Sequence, residues 1–90
     1  MRRFWFEFDL TDWPDYPAGT QLGCGVTAYD LDDAMSFVTK VFTGFPAPKV
    51  RRVTADIDVS TLDERHILPS MGNVLRRGVW FPLGYELTRW

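Results

Sequence analysis

The single histidine of the chain, His66, stands in the run Asp63–Glu64–Arg65–His66, close to Ser60, Thr61 and Ser70. A histidine beside acids can act as a general base and turn a nearby hydroxyl into a nucleophile, with Arg76 as the cation at the mouth of the same loop. That combination would give a weak hydrolase or a small-ligand site. The simpler use of such a residue is as a hydrogen-bonded loop histidine. Asp56 and Asp58 alternate along an extended stretch with Asp63 soon after, an oxygen-rich set suited to Mg²⁺ or Ca²⁺, although pairing with Arg52 or Arg76 explains the same carboxylates more simply. A zinc site needs three or four His and Cys ligands, and His66 and Cys24 are the only two in the chain, so no metal is assigned. Cys24 lies in an apolar alternation and reads as a small buried hydrophobe rather than a nucleophile. Gly23–Cys24–Gly25 fits no phosphate-cradling pattern, and no cofactor is implied.

A second group of residues suits binding rather than catalysis. Trp5, Tyr29 and Trp80 fall on the same side of their strands as Arg52, and Arg76 joins them, so one sheet face combines aromatic rings with arginine, the composition that protein interfaces favour. Alternatively, the two long loops, which carry Trp13, Tyr16, Ile67 and Leu68, fold over this face and bury the rings internally. Gly23 and Gly25 leave a trough on that face beside Trp5, which fits either a ring packed over the glycines or a shallow groove. A third reading stacks nucleic-acid bases on Trp5 and Trp80 with Arg52 and Arg76 on phosphates, and Glu7, Asp9, Asp56 and Asp58 on the same face oppose it.

The elements that must position these residues follow from hydropathy. Phe4, Phe6, Phe8 and Leu10 alternate with polar residues and Trp5, giving a first strand over Arg3–Leu10. Thr11–Gln21 is rich in proline, glycine and aspartate and reads as a loop. Leu22–Tyr29 alternates as a second strand, antiparallel to the first. Asp30 then caps a helix over Leu31–Thr43, with Asp32 and Asp33 in its first turn, apolar residues at three- and four-residue spacing, and Gly44 and Pro46 as its stop. Val50–Val59 forms a third strand with Val53, Ala55, Ile57 and Val59 toward the helix. Ser60–Asn73 is a loop in which Thr61 and Glu64 start one short turn that Pro69 ends. Leu75–Leu83 forms a fourth strand, and Pro82 places it at an edge. Alternation also puts one arginine of each pair, Arg51–Arg52 and Arg76–Arg77, on each face.

The expected architecture is an α+β domain spanning residues 1–90, a four-stranded, mostly antiparallel or mixed sheet in β-β-α-β-β order with one amphipathic helix on one face. A right-handed crossover through the helix would set strands two and three parallel. One helix about 10 Å wide cannot hide a sheet of roughly 15–20 Å, so part of even the helical face stays uncovered.

Composition narrows the function classes. At 46% hydrophobic and 16% aromatic, the chain can build a dense core and is not disordered. Residues 1–48 carry three basic and seven acidic side chains, whereas residues 49–90 carry seven and five. That dipolar split suits a charged protein partner or a homodimer, and it lacks the clear basic excess that nucleic-acid binding requires. A single cysteine allows no internal disulfide, which points to a cytoplasmic setting. No apolar run approaches the roughly 20 residues of a spanning helix, and Glu7 and Asp9 interrupt the N-terminal apolar stretch, so neither a membrane span nor a signal peptide is expected.

The stretch GVTAYDLDDAMSFV, from Gly25 to Val38, resembles the strand–cap–helix junction of small α+β bacterial families that include HicB-like antitoxins. The resemblance covers this junction alone, and no DNA-binding helical segment follows the last strand. The function expected from the whole is a non-enzymatic protein-binding or dimerising domain, immunity- or antitoxin-like, acting through the open sheet face and the Ser60–Asn73 loop. The alternatives are the small-ligand or weak hydrolase site at His66 and the single-stranded nucleic-acid binder.

Overall fold

Alternation of Phe4, Phe6 and Phe8 with Arg3, Trp5 and Glu7 produces β1 (Arg2–Asp9), with the phenylalanines gathered on one face. Around it lie β2 (Cys24–Ala28), β3 (Lys49–Ala55) and β4 (Gly78–Phe81), in the sheet order β3-β1-β2-β4. The computed structural model describes residues 1–9, 20, 22–45, 48–62, 64–65 and 67–82. Leu10, Trp13, Tyr16, Pro46, Asp63, His66 and Leu83 lie outside the described residues. Each hydrogen-bonded strand pair is antiparallel. β2 and β3 run in the same direction, as a helical crossover implies, but β1 sits between them, so the sheet has no parallel pair and is not mixed.

The helix α1 (Leu31–Val41) begins where Asp30, in an extended conformation, accepts a hydrogen bond from the Asp33 N–H at 2.8 Å. Asp32 and Asp33 complement the positive end of the helix and Lys40 its negative end. Ala34, Phe37, Val38 and Val41 form the buried stripe and meet Phe4, Phe6, Phe8, Cys24, Val26 and Val79 in one core. Phe42 closes this core edge-to-face on Phe8, with ring centroids 5.1 Å apart. Helix backbone bonding ends at Phe42, and Gly44 adopts φ +88, the left-handed geometry that glycine reaches without strain.

Strand boundaries and two faces depart from simple alternation, and in each case one residue is responsible. Between Arg52 opposite Glu7 and Val50 opposite Phe8, β3 gains one residue, Arg51. Such a bulge re-aims side chains. Val50 therefore packs against the helical core, while Arg51 reaches Glu7 on the other face instead of pointing toward the helix. In β4, Val79 pairs with Val26 and Phe81 with Gly25, which leaves Trp80 as the extra residue. Trp80 and Phe81 consequently both join the face away from the helix, whereas strict alternation would place Phe81 beside Val79. Finally, Asp56 takes φ 56 and ends β3 early, with the Ile57 N–H still bonded to the Arg3 carbonyl at 3.3 Å. Ile57 and Val59 thereby move to the far face, where they pack beside Trp5 and Trp80 rather than under the helix.

That far face carries a second core. Trp5, Ile67, Trp80 and Phe81 are buried there, with Ile57, Val59, Leu62, Met71 and Val74 packed against them. The covering segment holds two 3₁₀ turns, Val59–Thr61 and Leu68–Ser70. The first is capped by Asp58, which accepts from the Ser60 N–H at 3.0 Å, so Asp58 rather than Thr61 supplies the cap. Pro69 sits inside the second turn rather than ending a preceding one. Leu75, expected in the fourth strand, lies in the turn before β4 and is exposed.

Gly25 has Trp80 so close that an added Cβ would lie 2.4 Å from its ring, whereas a Cβ on Gly44 would meet nothing within 4 Å. Gly25→Ala should therefore displace Trp80, lower stability by about 1–3 kcal/mol and alter the near-ultraviolet circular dichroism of the indoles. Gly44→Ala should leave that spectrum unchanged. An unaltered spectrum in folded Gly25→Ala would show that Trp80 is not seated on this glycine.

Candidate functional site

The residues expected to form a binding face do not form one surface. Trp5 is 4% and Trp80 1% exposed, and their rings stack at 5.9 Å beneath the Ile57–Val74 segment, so they are core rather than contact residues. The physical reason is the glycine trough: Trp5 lies over Gly23 and Trp80 over Gly25, and apolar side chains from the loop close the other side. Of the two loops expected to cover the face, the one after β3 does so through its described residues, and Trp13 and Tyr16 of the other lie outside the described residues. With both indoles buried, the base-stacking platform proposed for single-stranded nucleic acid is not available. Tyr29 is exposed at the opposite end of the fold, beneath Arg77. Arg76 is exposed in the turn before β4, and Arg52 is exposed on β3. Asp63 and His66 lie outside the described residues.

Asp56 and Asp58, two of the three oxygen ligands considered for a metal, are engaged elsewhere. Asp56 receives two hydrogen bonds from Arg2, at 3.1 and 2.9 Å, and Asp58 accepts from both the N–H and the hydroxyl of Ser60. Among the described residues no group of three His, Cys, Asp or Glu side chains could hold a metal. Cys24 is fully buried on the helical side, and burial pushes its thiol up to about 12, so it carries no thiolate at neutral pH. A cleft of about 270 Å³ opens beside the C-terminal half of α1, lined by Met35, Val38, Phe42, Phe45 and Pro48 among others. Of its two threonines, Thr39 already donates its hydroxyl to the Met35 carbonyl, and none of its described wall residues is ionisable.

The structured surface with unmet bonding capacity is the edge of the sheet at β3. The two sheet edges differ. At β4, the Gly72 N–H donates to the Trp80 carbonyl at 2.6 Å, the Thr27 hydroxyl ties the neighbouring Val74 carbonyl, and Pro82 follows with no N–H to offer. At β3, one side is bonded to β1 and no described strand lies on the other. The helix packs on β2 and β4, two strands away, which is why Val53 stays 36% exposed and Ala55 is exposed although both lie on the helical face.

Because of the bulge, the two faces of this edge differ sharply in chemistry. Register places Lys49 beside Asp9 and Arg52 beside Glu7, and Arg51 donates to Glu7 Oε1 at 3.1 Å, so all three cations gather on the face away from the helix. Val50, Val53 and Ala55 line the other face through their pairing with Phe8, Phe6 and Phe4. Lys49 and Arg52 form no ion pair with a described residue. The doubled arginine between Val50 and Val53 was the available sequence signal, since apolar residues three apart inside a strand imply an inserted residue.

The fold is braced at its other end by Arg77. Its guanidinium binds both carboxylate oxygens of Asp33, one at 2.9 Å, and lies 5.0 Å from the Tyr29 ring centre and 5.1 Å from that of Phe37. Asp33 also accepts from the Tyr29 N–H. These donors, Arg77 foremost, hold the Asp33 carboxyl at about 2, below its ordinary 3.8.

Comparison with known protein families, curated proteins and solved structures gives no match to this chain.

The Asp33–Arg77 clamp predicts a pH signature. A carboxylate whose folded pKa is depressed adds stability above its unfolded value, and that contribution is lost as pH falls from about 4 toward 2. Wild type should melt above Asp33→Asn at pH 5–7, and the gap in Tm should close as pH approaches 2. A gap independent of pH would show that ionisation of Asp33 does not brace the helix.

Proposed function

We propose that the chain is a non-enzymatic protein-binding domain that takes up an extended segment of another polypeptide along the open edge of β3. The observation that carries this reading is the contrast between the two sheet edges. One is closed by Gly72 and Pro82, and the other presents a mostly exposed strand of seven residues that pairs with β1 alone among the described strands. An unpaired edge offers a row of N–H and C=O groups, and main-chain pairing with it gives affinity while side chains on the two faces give selectivity. Natural proteins usually blunt such an edge by shortening it, covering it or placing charge on it. Among the described residues β3 carries charge and the bulge at Arg51, and charge selects a partner as well as repelling the wrong one.

The setting we propose is that of a small immunity- or antitoxin-like protein in the cytoplasm that occludes its partner by lending it a sheet edge. The lone buried cysteine fits that compartment. No described helix is long and apolar enough to cross a membrane.

A photo-crosslinking side chain at Val53 should yield a discrete covalent adduct with a partner protein in the native cell, and the same group at Ser36, on the outer face of α1, should not. His66→Ala should leave the yield unchanged. No adduct at position 53, or its loss on changing His66, would overturn the edge-binding reading, the second outcome favouring the loop histidine as a site.

A further inference from the structure

Building on that reading of the open edge, we infer that its occupant is an acidic, alternating strand, with carboxylates on one face and small apolar residues on the other. The bulge at Arg51 makes this edge amphipathic, with Lys49, Arg51 and Arg52 on one face and Val50, Val53 and Ala55 on the other. Against these three cations, β1 sets two carboxylates, Glu7 and Asp9, and Glu7 is already bonded to Arg51. The cationic face therefore keeps an excess positive charge at the side where a new strand would lie. Opposite charges directly across a strand pair stabilise it, and like charges destabilise it.

The same geometry argues against a second copy of the chain as the occupant. Two β3 strands joined antiparallel are related by a two-fold axis perpendicular to the sheet, which keeps each face on its own side. Self-pairing would bring six cations onto one face around four carboxylates, with the arginines of the two copies crowded near the axis. An acidic strand removes that repulsion. On the opposite face, alternate apolar side chains would cover Val53 and Ala55, which α1 leaves open. The pattern required is thus period two, the natural repeat of a strand.

The test uses two capped peptides matched in length to β3, one alternating Glu and Val, the other Lys and Val, titrated into isotope-labelled full-length protein. The Glu–Val peptide should shift the amides of Lys49–Ala55, with affinity falling as salt rises, and the Lys–Val peptide should not. Lys49→Gln with Arg52→Gln, residues outside any described ion pair, should weaken the Glu–Val peptide by about twofold to thirtyfold, the range for losing two exposed charge pairs. Equal binding of both peptides would overturn the acidic occupant while leaving the open-edge reading intact. Binding of neither would overturn both.

Discussion

The stacking of Trp5 and Trp80 over two glycines is the contact on which the rest of the molecule depends. A strand glycine normally weakens a sheet, because it leaves no side chain to pack. In β2 and at the residue just before it, the missing side chains are replaced by two indoles from the neighbouring strands on either side, Trp5 over Gly23 and Trp80 over Gly25. Burying rings of this size is worth about 3–5 kcal/mol each by the cost of truncating them. Trp80 Nε1 is buried with no hydrogen-bond partner among the described residues, and since an unmet buried donor costs about 1–3 kcal/mol, ring burial still prevails. The indoles in turn give the described residues of the Ile57–Val74 segment an apolar surface to lie on, and Ile67 is seated there at 5% exposure.

This second core decides where function can reside. A four-stranded sheet covered by one helix has an obvious open face, and aromatic rings with arginines there would resemble an interface. Once the loop occupies that face, the open bonding capacity of the sheet moves to its rim. The rim at β4 is closed by the same segment, through Gly72, so covering the face also seals one edge. The rim at β3 lies beyond both the helix and the tryptophan core, and there the bulge at Arg51 sorts cations from apolar residues. The Arg2–Asp56 pair and the left-handed backbone at Asp56 hold the end of this edge, but as exposed charges they fix geometry more than they add stability.

The strands, the helix and the helical core were legible because periodicity reports which residues are buried together. Phe4, Phe6 and Phe8 alternate without interruption, Asp30 is a capping residue followed by an amphipathic stripe, and Gly23 and Gly25 lie two apart beside a tryptophan. What periodicity cannot report is an inserted residue, because each insertion inverts the face of everything after it. Arg51 and Trp80 are two such insertions, and the left-handed backbone at Asp56, which ends β3, has the same effect. They account for Arg51 turning away from the helix, for Ile57 and Val59 joining the tryptophan core, and for Phe81 separating from Val79. The candidate edge was illegible for a related reason: which strand lies at the rim depends on sheet order, and nothing local in Lys49–Ala55 distinguishes an edge from a centre. The helical crossover spans β1, so chain order alone suggests a neighbour relation between β2 and β3 that the sheet does not contain.

Native-state hydrogen exchange of the isolated full-length protein tests the open edge most directly. Antiparallel pairing on one side bonds alternate residues of a strand and leaves the others to solvent. Amides along Lys49–Ala55 should therefore alternate between slow and fast exchange, while those of β2, flanked on both sides, remain slow throughout. Uniform strong protection along β3, equal to that of β2, would mean that this edge is already occupied in the free protein and would contradict its role as the acceptor of a partner strand.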